Sequence, residues 1–308
     1  SRETPRCFCA MAHGTHGTQS KVTRFPPAVQ KLQHQVDDCE RDLQEAQREK
    51  NDHKLLVALE KSLHLKRKLF PEDSPEILAA SQRLCQGCNS VATALLNEGE
   101  LKAAHQLLQR AEEVAKGPLS CAMTWNNLAC FYRHSKKLRS AIIYLEQTLA
   151  IEERYNDPAV VQTHLNLCAT LSKLKRHSEA LQQAQRALLK AYEALTPKLT
   201  SGEELEQQEL QEEVSLLCIA YHNQGVEHEH LKNFLAAYQA YARGNKWAYK
   251  FLGPSHQLGN LLHRAAMLVK AKVPSNQQIE LEELEGETSS IGSKSFTGSI
   301  FTATCGKY

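Results

Sequence analysis

The chain opens, after a short Pro- and Gly-containing stretch, on a long segment with a helical hydrophobic period. Residues 28–70 contain no Gly or Pro, and their apolar residues recur at three- and four-residue spacings until the register fails at Lys50 and His53. Because the period spans few heptads, we expect an amphipathic helix packed on the rest of the chain, with a coiled coil as the alternative. Residues 55–70 are also similar to the second helix of an incomplete repeat. The apolar positions are Val29, Leu32, Val36, Cys39, Leu43 and Ala46.

From about residue 76 one pattern of large and small residues recurs four times. The copies start at Cys88, Trp125, His164 and Tyr221, which are 37, 39 and 57 residues apart. Each copy predicts two helices, with small residues where the helices touch and large residues filling the space between them. We expect the first helices to begin near residues 76–85, 122, 160 and 212, and a last helix near 255–272 to cover the open end of the core. The clearest copy has Trp125, Leu128, Ala129, Tyr132, Ala141 and Leu145.

This pattern resembles the tetratricopeptide-repeat superfamily over residues 76–272. The segment Thr124-Trp125-Asn126-Asn127-Leu128-Ala129 is similar to the core of kinesin-light-chain-type repeats. The resemblance implies an all-α, right-handed helical solenoid of about four helix pairs, with a C-terminal capping helix and an N-terminal long helix. It also implies that the first helices build a concave face that holds an extended or helical peptide.

Composition divides the chain into four parts. Residues 1–27 are predicted to be disordered, and residues 28–75 form the long helix and an incomplete repeat. Residues 76–272 form the solenoid and include an acidic insertion at 196–214. Residues 273–308 are acidic and then rich in Ser, Thr and Gly, so they read as a disordered tail.

The overall charge balance favours no particular class of partner. Hydrophobic residues make up 42% and charged residues 23%, and the formal net charge is +2. We therefore expect other proteins as partners, and neither nucleic acid nor membrane. No apolar run approaches the length of about 18 residues that a bilayer requires. Without an N-terminal apolar region, the ten cysteines suggest a reducing compartment, so the expected location is cytoplasmic, with cytoskeletal or ciliary association as a possibility.

Asparagines at equivalent positions of successive repeats are the first candidate site. A carboxamide both donates and accepts hydrogen bonds, so it matches a peptide group without reading side chains. In the families that this chain resembles, such residues face the groove and hold a ligand backbone. Solvated helix-surface asparagines are the alternative. The groove prediction comprises Asn127, Asn166 and Asn223, together with Asn126 and Arg133.

Basic residues cluster in two consecutive turns within repeats. Stacking of the repeats should place equivalent turns side by side and form a basic edge suited to an acidic partner. Simple solvation of the turns is the alternative. The acidic insertion could extend a helix, fold over this edge or repel anionic ligands. The basic edge is defined by Lys136, Lys137, Arg139, Lys173, Lys175 and Arg176.

No cofactor, metal or catalytic chemistry is predicted. Phosphate-binding glycine loops and the G-x-S-x-G and H-E-x-x-H motifs are missing from the sequence. The chain is therefore predicted to be a non-enzymatic adaptor, with a permanent structural component of a ciliary or cytoskeletal assembly as the alternative. A carboxylate-clamp co-chaperone is disfavoured because Asn89, Asn126, Gln162 and Asn166 stand where that clamp needs basic groups. Three groups of Cys and His residues lack the spacing of a zinc site: Cys7, Cys9, His13 and His16; Cys85 and Cys88; and His222, His228 and His230.

Overall fold

The computed structural model describes residues 26–200 and 207–277, and over these residues every helix and turn belongs to an all-α architecture. The predicted fold class is confirmed. A short 3₁₀ turn, Ser275–Gln277, follows the last helix. The helices are α1 Pro27–Arg48, α2 Asp52–Leu69, α3 Pro75–Glu98, α4 Leu101–Val114, α5 Pro118–His134, α6 Leu138–Tyr155, α7 Val160–Lys173, α8 His177–Thr200, α9 Gln207–His230, α10 Phe234–Phe251 and α11 Gln257–Lys270.

The N-terminal segment is two helices: α1 is a long amphipathic helix, and α2 lies where residues 55–70 are expected to form the second helix of an incomplete repeat. Lys50 takes a left-handed backbone conformation with φ 51°, and the Asn51 side chain caps α2 by accepting a hydrogen bond from the Lys54 backbone N–H at 3.0 Å. The apolar face of α1 is buried within the chain, and the Cys39 thiol contacts the Ala58 carbonyl of α2 at 3.2 Å. In the structure this face packs against α2, as the interpretation of a packed amphipathic helix expected.

The same turn closes five helix pairs. After each first helix one residue has φ between 51° and 85°, and the next residue donates its backbone N–H to the carbonyl five positions earlier, as Lys137 does to Tyr132 at 2.8 Å. This is the hydrogen bond of the Schellman motif, which ends a helix by a left-handed residue. The described chain therefore has five hairpins and α11, one pair more than predicted. The left-handed residues are Lys50, Gly99, Lys136, Lys175 and Lys232.

The repeat frame predicts the packing between helices correctly. Ala141 and Leu145 are 0% exposed, and the Tyr132 and Tyr144 rings stack with centroids 5.3 Å apart. Thr148, which departs from the pattern, is also buried, because its hydroxyl donates to the Tyr144 carbonyl at 2.9 Å. The first helices of the four predicted copies begin at Pro75, Pro118, Val160 and Gln207.

The acidic insertion lengthens two helices. Its described residues lie at the end of α8 and the beginning of α9. Lys198 pairs with Glu213 at 2.5 Å and also with Glu209. These two glutamates are therefore engaged by Lys198 and do not cover the basic edge. Residues 1–25, 201–206 and 278–308, which include Cys7, Cys9, His13, His16 and nearly all of both predicted disordered ends, lie outside the described residues.

Candidate functional site

The first-helix asparagines bond to one another across the repeats. The Asn127 amide donates to the Asn89 side-chain oxygen at 2.8 Å, which joins α5 to α3. The Asn166 amide donates in the same way to Asn126 at 2.9 Å, which joins α7 to α5. Asn89 is 3% exposed and donates to Thr124 Oγ1 at 2.9 Å. We call these two pairs the asparagine ladder.

Sequence reasoning missed Asn89 as a member of this arrangement. The groove prediction compared only equivalent positions, and Ser90 interrupted the column in the first repeat. The ladder instead joins each asparagine to the residue one position earlier in the preceding repeat. The consecutive pair Asn126-Asn127 is the sequence signal of this arrangement: Asn127 bonds to the preceding repeat and Asn126 to the following one.

Asn223 stands apart from the ladder. The position in the preceding repeat that would pair with it is Leu165, which is buried and apolar. Asn223 instead lies beside His222, whose pKa is lowered by burial and raised in part by the Asn223 side chain. The structure therefore joins two of the three predicted column residues to neighbouring repeats and leaves the third separate.

Part of the ladder's hydrogen-bonding capacity remains unused. Asn126 accepts from Asn166 with its oxygen, while its own amide N–H groups have no hydrogen-bond partner among the described residues. Arg133 lies about two helical turns after Asn126 on α5. Its guanidinium reaches the Asn166 side-chain oxygen at 3.5 Å and the Cys130 thiol at 3.8 Å. We call the partly exposed stripe of Asn126, Cys130, Arg133 and Asn166 the first-helix face.

The basic edge is exposed and largely without acidic partners. Of its six residues, Arg176 pairs with Glu179 at 2.5 Å, and the other five make no ion pair in the described part of the chain. Arg133, near the end of α5, reaches Asn166 of α7 at 3.5 Å, so the helices that precede the two turns are neighbours. That the two turns form one edge, and that this edge binds an acidic partner, stay predictions.

The buried cysteines behave as structural side chains. Burial raises the pKa of Cys88 and of Cys168 to about 12, so these thiols stay protonated and act as small apolar side chains. Within residues 26–200 and 207–277, no group of three His, Cys, Asp or Glu side chains could hold a metal ion.

Comparison with known proteins finds a family model that matches part of these hairpins. The model, described as tetratricopeptide repeat, matches residues 120–188, which contain most of α5, all of α6 and α7, and half of α8. These residues are therefore similar to tetratricopeptide repeats. No match is found among curated protein sequences. Among the described helices, none combines the length and apolar character that crossing a membrane requires.

Several solved structures are similar in fold to this chain. One contains nearly identical TPR-like repeats of a Podosopora anserina chain described as a kinesin light chain (15% identity, TM-score 0.43, 72% of this chain and 97% of that chain). Another is BtubC (BKLC) from P. vanneervenii (17%, 0.46, 73% and 94%). A third is a Rap protein complexed with Competence and Sporulation Factor (13%, 0.46, 85% and 76%).

Proposed function

We propose that this protein is an adaptor that binds a segment of a partner protein along the first-helix face. Tetratricopeptide repeats form a protein-interaction fold, and the family match and the stacked hairpins support that general role. A solenoid of this kind offers an extended surface that suits a peptide or helix better than a small molecule.

The observation that carries the proposal is the fixed and unused hydrogen-bonding capacity of Asn126. Its oxygen is engaged by Asn166 at 2.9 Å, so the carboxamide is held in one orientation with its N–H groups free. A donor held in place before binding loses little conformational entropy when it meets a ligand carbonyl. Arg133 adds a cationic donor on the same helix and would bind a carboxylate or a carbonyl.

The test is the variant Asn126→Asp combined with Arg133→Gln. Aspartate keeps the oxygen that Asn166 needs but removes the amide donor, so the ladder survives. We expect proximity labelling in cells to lose the partners that the wild-type protein labels, because each lost hydrogen bond to a desolvated group costs about 1–3 kcal/mol. The melting temperature should hardly move, since stability should change by about 0.5 kcal/mol or less per site.

Two further variants separate binding from folding. Asn260→Asp makes the same chemical change at an exposed position on α11 and should leave labelling intact. Asn127→Ala leaves the buried oxygen of Asn89 unpaired, so it should lower stability by about 1–3 kcal/mol. If the Asn126→Asp/Arg133→Gln protein melts normally and keeps all its partners, the first-helix face is not the binding site.

The alternative function, a permanent component of a cytoskeletal or ciliary assembly, predicts different behaviour. An adaptor should exchange its partner on dilution, whereas a structural subunit should co-purify with its assembly through high-salt washes. Localisation of the tagged protein in the cytoplasm, on filaments or in cilia belongs to the same test.

A further inference from the structure

Lysine occupies the left-handed position in most of the hairpin turns. We call Lys50, Lys136, Lys175 and Lys232 the turn lysines, and Gly99 fills the equivalent site in the remaining pair. Glycine is the usual residue there, because a side chain with a Cβ atom is strained in this conformation. Glycine at position 99 shows that the turn itself does not require lysine. Three consecutive repeats nevertheless place a cation at this point.

Contacts between neighbouring turns bring three of the turn lysines into one row. Arg133, three residues before Lys136, reaches Asn166 of α7 at 3.5 Å, so the helix that precedes Lys136 packs beside the helix that precedes Lys175. His177 stacks on His230 with ring centroids 4.1 Å apart, so the turn of Lys175 adjoins that of Lys232. Lys232 therefore extends the basic edge by one repeat.

The acidic groups beside this row already have partners. Glu227 is 2% exposed and contacts the His177 imidazole at 2.8 Å. Glu229 accepts hydrogen bonds from Tyr241 at 2.9 Å and from Lys272 at 2.8 Å. Lys136, Lys175 and Lys232 make no ion pair in the described part of the chain, and the exposed acids near the row, Glu146 and Glu179, act on Arg176. The three turn lysines are therefore available to an acidic segment.

Lys272, five residues before the described chain ends, lies next to this row. Lys272, which follows α11, bonds to Glu229 one turn before Lys232, and Val273 is buried. The two lysines and Phe234 line a surface groove of about 370 Å³. A few residues later the sequence becomes strongly acidic and contains no Lys or Arg between Lys272 and Lys294. The acidic residues of segment 280–287 are Glu280, Glu282, Glu283, Glu285 and Glu287.

We infer that the acidic segment 280–287 docks on the basic edge of its own chain, against the turns of Lys232, Lys175 and Lys136. Packed helices lie about 8–10 Å apart, so three neighbouring turns span about 20 Å. An extended segment of this length covers about 26–29 Å, and Lys272, eight residues before its first glutamate, lines the same groove as Lys232. The docked segment covers the basic edge and competes with any acidic ligand for it. Each exposed ion pair between the segment and the edge is weak and is screened by salt. The segment can nevertheless dock, because its covalent connection to the edge gives it a high effective concentration there.

Zero-length carbodiimide cross-linking of the full-length protein tests this directly, because it joins a lysine amine to a glutamate carboxylate only when they touch. We expect mass spectrometry to find links from segment 280–287 to Lys137, Lys173, Lys175 or Lys232 in the monomer. Raising the salt from 0.1 M to 1 M shortens the screening length from about 10 Å to about 3 Å, and should reduce the yield about fivefold. Links that join isotopically distinct copies in a mixed sample would instead assign the contact to a second molecule and overturn the inference.

Matched variants remove the charge without removing the reporters. The triple variant Lys136→Gln/Lys175→Gln/Lys232→Gln keeps the amines of Lys137 and Lys173 as cross-linking sites. The yield of cross-links from segment 280–287 to these two amines should fall at least about threefold, because fewer cations attract the segment. Lys31→Gln/Lys68→Gln/Lys102→Gln neutralises three exposed lysines elsewhere and should leave the links unchanged. Equal yields from both triple variants would overturn the inference.

A binding measurement shows whether the segment covers the edge. Replacing the five glutamates of segment 280–287 by glutamine should make the full-length protein bind poly-glutamate about tenfold more tightly than the wild type, because an intramolecular competitor is removed. Equal affinity of the two proteins would mean that the edge is open to acidic partners in trans and that the segment does not occupy it.

Discussion

At the scale of single residues, Glu152 near the end of α6 is an unusual buried acid. It is 2% exposed, and its Oε2 atom has no hydrogen-bond partner in the described residues. Burial, with a smaller contribution from the charge of Asp157, raises the pKa of this carboxyl from 4.5 to about 7. The folded state therefore favours the protonated acid.

Stability should fall as the pH rises from about 4.5 to 7. In this window the unfolded state has lost the Glu152 proton while the folded state still holds it, so raising the pH favours unfolding. Glu152→Gln mimics the neutral acid, and we expect it to stabilise the protein at pH 8 by up to about 3 kcal/mol relative to the wild type. At pH 4.5 the two proteins should melt at similar temperatures. Thermal melts at several pH values measure the difference.

The neighbouring residue provides the control for this prediction. Glu153 has a side chain that is 54% exposed, so Glu153→Gln should change stability little at any pH. A Glu152→Gln benefit that is the same at pH 4.5 and pH 8 would mean that the wild-type carboxyl does not titrate in this range.

The asparagines show how far residue-level prediction reached. The recurrence of asparagine at one position of the repeat predicts that these residues are functionally important. In the structure, Asn127 and Asn166 do contact neighbouring repeats. What recurrence could not reveal was the offset between partners, because it depends on how far one first helix slides along the next. Side chains predicted to hold a ligand backbone therefore also make structural hydrogen bonds between repeats.

At the scale of elements, the close contact of α9 with α10 depends on Gly225. A Cβ atom built on this residue would lie 2.4 Å from Cε1 of Tyr241. The tyrosine is 1% exposed, and its hydroxyl is held by Glu229, so the ring has little freedom to move. The frame places a small residue here, and the structure shows that even alanine is too large.

We expect Gly225→Ala to destabilise the protein by about 1–3 kcal/mol, because overpacking outweighs the gain of roughly 1 kcal/mol in helix propensity. Gly259→Ala on α11 is the matched control, since its Cβ would meet Ala248 at an ordinary 3.5 Å, and it should be neutral or stabilising. Denaturant unfolding measures both. In a Tyr241→Leu background the Gly225→Ala penalty should shrink, and an unchanged penalty would mean that the ring is not the obstacle.

The N-terminal hairpin marks the limit of prediction for elements. Uninterrupted helix-forming composition over residues 28–70 favoured one helix, and neither Gly nor Pro marked the break. The turn forms because Asn51 caps α2 and Lys50 tolerates a left-handed backbone. Burial of the α1 apolar face then stabilises the hairpin. The failure of the hydrophobic register at Lys50 and His53 was the local signal of this turn.

At the scale of the whole molecule, apolar burial is divided unevenly along the solenoid. One large cluster extends from Ala129 to Val273 and so joins α5 through α11. The N-terminal hairpin contributes to a smaller cluster shared with α3 and α4 and to a separate one of Val36, Cys39 and Leu65. Since each hairpin of a solenoid contacts chiefly its neighbours, local stability should follow this distribution.

We therefore expect the N-terminal hairpin to open before the C-terminal half, and two core truncations should reveal it. Leu43→Ala and Leu217→Ala each remove a side chain that is 0% exposed, and each should cost about 2–5 kcal/mol locally. Hydrogen exchange followed by mass spectrometry should show Leu43→Ala accelerating exchange in α1 and α2 while α7–α10 stay protected. Leu217→Ala should accelerate exchange in α8–α11 and lower the main melting transition, because it weakens the cluster that joins most helices. Equal acceleration across the chain in both variants would mean that the solenoid unfolds as a single cooperative unit.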